Sequence, residues 1–218
     1  MTIDPARDEI LGKARAALGR HADSPVVAMP TAMRVAPRVA GDAQSETELL
    51  LSEIAKLGGT TRRFAKKAEL QSALAGLIET EAVKKATLWQ TQALQELGLE
   101  DSLRALGVEI VSPHSDKFAL ADCDLGVTGV DAALPETGTL LLRSSPERPR
   151  MVSLLPRVHL AILHPSELCA DVGPALAKVA GEGYWLFVTG PSRTSDIELT
   201  LTIGVHGPKS LYVWVCEA

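Results

Sequence analysis

The sequence predicts an α/β protein, a three-layer α/β/α sandwich with a mostly parallel sheet, preceded by an N-terminal helical arm. Three observations predict it. Short apolar runs alternate with amphipathic stretches of helical spacing, as consecutive βα units do. Several runs, such as VHLAIL at 158–163, are apolar at nearly every position, the pattern of strands covered on both faces. Glycine-containing turns then follow the runs at 125–128 and 185–189, where open α/β sheets commonly hold ligands.

Residues 4–19 predict a short helix with Ile10, Ala14, Ala17 and Leu18 along one side. From Ser24 to Ala40 the chain reads SPVVAMPTAMRVAPRVA, with prolines that suit neither a helix interior nor a sheet ladder. This segment is expected to be an extended arm. Val26, Val27, Met29, Met33 and Val35 make it apolar enough to lie on its own domain or on a neighbouring subunit, so a homo-oligomer formed through the arm is one expectation. The arm is placed at 1–42 and the folded domain at 43–218.

Within the domain, Ser45 and Glu48 form an S-x-x-E capping box. Leu50, Leu51, Ile54 and Leu57 follow at helical spacing until Gly58-Gly59. A strand is expected over 60–64. The next helix starts near Lys66 and carries Leu70, Ala73, Leu74, Leu77 and Ile78 on one face. Strands at 86–89 and 108–111 flank a helical stretch with Leu94, Leu97, Leu103 and Leu106. Further strands are expected at 125–128, 139–142, 158–163, 185–189 and 211–215. A covering helix at 172–180 takes Asp171 as its N-cap.

Composition narrows the function. The net charge of −5 and an aromatic content of 4% point away from nucleic acid. No apolar run approaches the roughly 18 residues of a membrane span, so no membrane insertion is expected. The charged start MTIDPARDEI lacks the apolar core of a signal peptide, which makes the cytoplasm the expected location. Cys123, Cys169 and Cys216 stand more than forty residues apart with no CxxC pair, and no HExxH occurs. Neither a metal site nor an iron–sulfur cluster is expected in this chain, and without GxGxxG no cofactor is assigned.

Four segments can carry chemistry. Thr128-Gly129-Val130-Asp131 ends a strand in a turn and presents Asp131, as a ligand group or as a cap for the residues after it. Glu136-Thr137-Gly138 precedes the run TLLL; there a partly desolvated Glu136 is a candidate base or nucleophile, the alternative being a turn glutamate bonded to backbone N–H groups. Gly190 to Glu198, GPSRTSDIE, gathers the hydroxyls of Ser192 and Thr194 and the cation of Arg193 at what a Ser195–Glu198 capping box marks as a helix start. Free N–H groups, hydroxyls and a guanidinium make a cradle for a small anion, a carboxylate or a phosphate. The turn GVHGPK displays His206, a candidate acid or base, with Lys209 beyond it. Arg143, Arg148, Arg150 and Arg157 are either solvated or face an acidic partner. The 128–138 and 190–207 segments are expected to share one pocket.

These pieces together, VTGVDAALPETGTLLL, MVSLLPRVHLAIL, VTGPSRTSDIE and GVHGPKSLYVWV, resemble the LUD domain of the lactate-utilisation protein C family. The resemblance is close over 120–218 and extends to 43–119 only in the order of elements. It implies a fold like that of the CoA-transferase and ribose-phosphate isomerase superfamily. It also implies work beside iron–sulfur partner subunits that convert L-lactate to pyruvate; this chain lacks the cysteines of a cluster carrier. Two other functions stay open on the residues alone: a stand-alone enzyme acting on a phosphorylated, CoA-type or folate-type anion through Glu136, and a scaffold or regulatory module using the arm.

Overall fold

The computed structural model describes residues 5–21, 36, 38–181, 183–194 and 202–217. The chain divides into two compact units, Met1–Ala36 and Pro37–Ala218. In the first, helix α1 (Pro5–Ala17) begins with proline at a position whose N–H needs no partner. It has no buried residue. Most of the expected arm lies outside the described residues.

The second unit is built on six strands: β1 (Thr60–Phe64), β2 (Lys85–Leu88), β3 (Glu109–Val111), β4 (Leu125–Gly129), β7 (Val158–Leu163) and β11 (Ser210–Cys216). They lie in the order β1-β11-β7-β4-β2-β3, and every neighbouring pair is parallel. The mixed α/β class with a parallel central sheet is as the sequence predicts. Between them run α2 (Ala43–Lys56), α3 (Lys67–Thr80), α4 (Gln92–Glu96), α5 (Leu99–Ala105), α6 (Lys117–Ala121), α7 (Met151–Leu154) and α8 (Val172–Lys178). Among the described residues no helix is long and apolar enough to cross a membrane.

Two sequence expectations are corrected here. Helix α2 is capped by Asp42, whose side chain accepts the Ser45 N–H at 2.7 Å, so Ser45 sits in the first turn and not at the cap. The runs near 139–142 and 185–189 do not join the parallel sheet. β6 (Thr139–Arg143) pairs antiparallel with β5 (Ala132–Leu134) on one side and with β8 (Trp185–Val188) on the other, making a separate three-stranded sheet. The β5–β6 hairpin turns through a short 3-10 segment, Pro135–Thr137, and closes at Gly138 with φ of 61°. That backbone is seated on α2: a Cβ at position 138 would stand 2.9 Å from the Ile54 nitrogen, so only glycine fits.

Side-chain alternation gives the parallel sheet two faces. One carries Trp214 and Cys216; Phe64 meets Trp214 edge to face at 5.2 Å, and α3 and the end of α4 bring Leu70 and Leu97 to it. The other carries Gly126, Thr128, His159 and Leu211. There α7 comes so close that a Cβ at position 126 would lie 1.9 Å from the Val152 carbonyl oxygen. Leu125, Val127, Val158, Leu160, Val213 and Trp214 form the centre of one continuous core.

Candidate functional site

A hollow of about 370 Å³ opens on that second face, above the first residues of β7 and β11. Its floor is His159 and Leu211. Its walls are Ser153 and Leu154 of α7 and the stretch from Phe187 to Arg193, and His206 to Pro208 close the rim. The chain path explains the convergence. β8 ends at Val188, and Ser192 then hands its N–H to the Pro208 carbonyl (2.9 Å) while its own carbonyl receives the Gly204 N–H (2.9 Å). Next, β9 (Arg193–Thr194) pairs antiparallel with β10 (Thr202–Ile203), a narrow ribbon beside the hollow. Arg193 and Thr194 are therefore in an extended ribbon, ahead of the helix start the sequence suggested. The capping box of Ser195 and Glu198 lies outside the described residues.

Ser192, Arg193 and His206 thus line one hollow, and Thr128 meets it indirectly. Thr128 is fully buried, and its hydroxyl lies 2.8 Å from Nε2 of His159. Thr137 donates to Thr139 at 2.8 Å, and Thr139 shares a 2.9 Å hydrogen bond with Thr189 in the wall, so the 137–139 and 189–193 segments meet. The Arg193 guanidinium also donates to the Leu57 carbonyl at the end of α2.

Other expected site residues stand elsewhere. Glu136 is not in the lining. Its side chain is 69% exposed and faces the Arg38 guanidinium at 3.9 Å, so the desolvation expected to activate it is absent. The reason is local: the 3-10 turn buries Pro135 and sets Gly138 on α2, leaving Glu136 outward. Asp131 is committed to structure, accepting the Arg143 N–H at 2.7 Å and pairing with Arg148 at 2.6 Å. Lys209 is exposed and outside the lining, with its N–H on the Arg157 carbonyl. The arginines expected to be solvated or to face a partner are engaged within the chain. Arg157 bonds Asp124 and Glu81, Arg143 donates to the Ala180 carbonyl, and Arg150 lies over the Tyr184 ring.

Gly129 goes to a different place. It helps line a second hollow of about 380 Å³ at the carboxyl edge of the parallel sheet, with Val130, Ile162, Leu163 and Cys216. The polar groups there are already satisfied: Lys67 donates to the Glu96 carbonyl at 2.8 Å, and Glu167 accepts the His164 N–H. The hollow over β7 is the stronger candidate because its polar groups include one without a partner.

That group is His159, which the sequence reading did not single out. It is 1% exposed, its Nδ1 has no hydrogen-bond partner among the described residues, and burial pushes its pKa down to about 4. The signal was present: one histidine inside a six-residue apolar strand. The three cysteines are free and buried, and burial holds the thiols of Cys123 and Cys216 up at about 11, far from nucleophilic thiolates. Among the described residues no group of three His, Cys, Asp or Glu side chains is placed to hold a metal ion.

The sequence matches the LUD domain over residues 47–215. A protein of Shouchella clausii named lactate utilization protein C is 33% identical, over 96% of this chain and 97% of its own length. Lactate utilization protein C 1 of Bacillus mycoides is also 33% identical, over 80% of this chain and 81% of its own. Among solved structures, a DUF162 family protein from Deinococcus radiodurans has the same fold. Its TM-score is 0.57 over 81% of this chain and 99% of that one, at 19% identity. With the domain match spanning most of the chain and a relative aligned nearly end to end, the chain belongs to the LUD domain family.

Proposed function

We propose that this chain is a component of a lactate-utilisation system and that the hollow over β7 holds a small carboxylate. The observation that carries the reading is the kinship along 96% of the chain with a protein named lactate utilization protein C. Converting L-lactate to pyruvate releases two electrons and two protons, and the electrons need an acceptor. This chain's three cysteines are separately buried, so the reading places iron–sulfur acceptors on partner subunits. What the hollow offers is binding: Thr189, Ser192 and Arg193 line its wall, two hydroxyl residues and a cationic one that suit a carboxylate in size and charge.

A stand-alone reaction with Glu136 as nucleophile is the weaker reading, because that carboxylate is exposed beside Arg38 and outside the hollow. Deleting the gene in its host and growing the strain on L-lactate as sole carbon source tests the proposal. Growth should fail and return when the wild-type gene is restored. Growth at the parental rate without the gene overturns the reading.

A further inference from the structure

His159, on the floor of the hollow, has a buried ring nitrogen that no described residue uses. His159 Nε2 lies 2.8 Å from the Thr128 hydroxyl, and among the described residues each is the other's only side-chain hydrogen-bond partner. Both side chains are buried in the sheet, and one hydrogen bond joins them in either tautomer. If Nε2 carries the proton, the ring donates to Thr128, the hydroxyl hydrogen has no acceptor, and Nδ1 is a bare lone pair. If Thr128 donates to Nε2, the unmet groups are the hydrogen on Nδ1 and the Thr128 oxygen. Each arrangement leaves one donor and one acceptor unmet, so an anion decides between them: its oxygen can meet a hydrogen on Nδ1 and is repelled by a lone pair there. With an anion bound, Thr128 donates to Nε2 and the ring carries its proton on Nδ1.

We propose that the Nδ1–H of His159 is the donor that reads the ligand of this hollow, taking an acceptor oxygen of a small carboxylate or 2-oxo acid. This rests on the proposed function and assigns the residue that selects the ligand. The donor is neutral: with its pKa pushed down to about 4, the ring carries no charge near pH 7. For the same reason His159 is a poor base, and it does not remove the hydroxyl proton of a 2-hydroxy acid. Its part is to hold an oxygen at the closed end of the hollow, while Ser192, Thr189 and Arg193 meet the ligand along the wall.

Two substitutions separate the ring nitrogens. Asparagine keeps an amide nitrogen near the place of Nδ1 and abandons Nε2; glutamine reaches the place of Nε2 and abandons Nδ1. Calorimetric titration of the full chain with pyruvate, L-lactate and inorganic phosphate should show His159→Asn binding within about threefold of wild type and His159→Gln at least tenfold weaker. Equal affinities for His159→Gln and wild type overturn the proposal, and assign the Nδ1–H to the Val152 carbonyl seated on the neighbouring Gly126. If phosphate alone binds and His159→Gln loses it, the donor stands and the lactate reading falls. If lactate or pyruvate binds both variants alike, the lactate reading stands and the donor falls. Failure of the wild type to bind any of the three overturns both. Should His159→Gln not fold, ¹⁵N spectra of histidine-labelled wild type titrated with pyruvate decide the tautomer: a proton on Nδ1 is expected at saturation, and a proton that stays on Nε2 overturns the inference. In Thr128→Val the tautomer should become mixed and the affinity fall with the ring intact.

Discussion

Carrying the protein from pH 8 to pH 5 charges histidines in the unfolded chain, and His159 is a histidine whose native surroundings resist that charge. Burial moves its pKa from the ordinary 6.5 to about 4, so between those values the unfolded state binds a proton that the native state does not. Stability contributed by the neutral ring is fully present above about pH 6.5 and is lost progressively as the pH falls toward 4. At about 1.4 kcal/mol per pH unit, the loss reaches about 2 kcal/mol at pH 5. For a domain of this size, that corresponds to a fall in Tm of about 4–8 °C. The assay is urea denaturation of wild type and His159→Asn at pH 8, 7, 6 and 5. Asparagine removes the titrating ring, so the variant should lose about 2 kcal/mol less than wild type over the same range. Glu46 and Asp42 act in the same direction, their carboxyl groups held low by the Arg38 guanidinium and by the Ser45 N–H respectively, but both proteins share them. Parallel pH profiles for the two proteins would refute the assignment of a buried, neutral His159.

The remaining expectations concern packing and charge. Gly126→Ala places a Cβ 1.9 Å from the Val152 carbonyl oxygen, so α7 must lift from the sheet. A loss of about 1–3 kcal/mol or more is expected in a thermal melt, and an unchanged Tm would contradict the close approach. Arg38→Ala removes two 2.8 Å bonds to Glu46, a residue only 6% exposed, and should cost about 1.5–3 kcal/mol by chemical denaturation. Arg193→Ala should weaken oxyanion binding in the hollow by about tenfold, as expected for one charge-assisted bond, while leaving the melt nearly unchanged. Unaltered affinity would reduce Arg193 to a tie on the Leu57 carbonyl.

Local features of the fold were legible because local chemistry dictates them. Asp171 caps α8 by accepting the Val172 N–H, and the apolar run at 158–163 is a strand buried at all six positions. The cap of α2 was misplaced because Asp42 and Ser45 are both good caps three residues apart, and it is Asp42 whose side chain accepts an N–H of the first turn, that of Ser45. Sheet membership was not legible. The runs at 139–142 and 185–189 look like buried parallel strands, yet β5 intervenes as a hairpin partner and draws both into the antiparallel sheet. In β8 the alternation is masked because every residue is apolar; Trp185 and Phe187 are exposed while Leu186 and Val188 are half-buried.

The site was half legible for a related reason. Motif reading treats adjacent residues as one cluster, whereas a strand sends neighbours to opposite faces. Thr128 and Gly129 belong to one motif but serve different hollows, Thr128 turning to His159 and Gly129 lining the carboxyl edge. His159 and Thr128 are 31 residues apart and belong to different motifs, yet the register that pairs Gly126 with His159 sets them diagonally on one face. A six-residue strand buried throughout carries a polar ring only if that ring is satisfied, and among the described residues His159 is satisfied on one nitrogen alone. The other nitrogen is the reason to look for the ligand at the hollow's floor and not at the exposed carboxylate of Glu136.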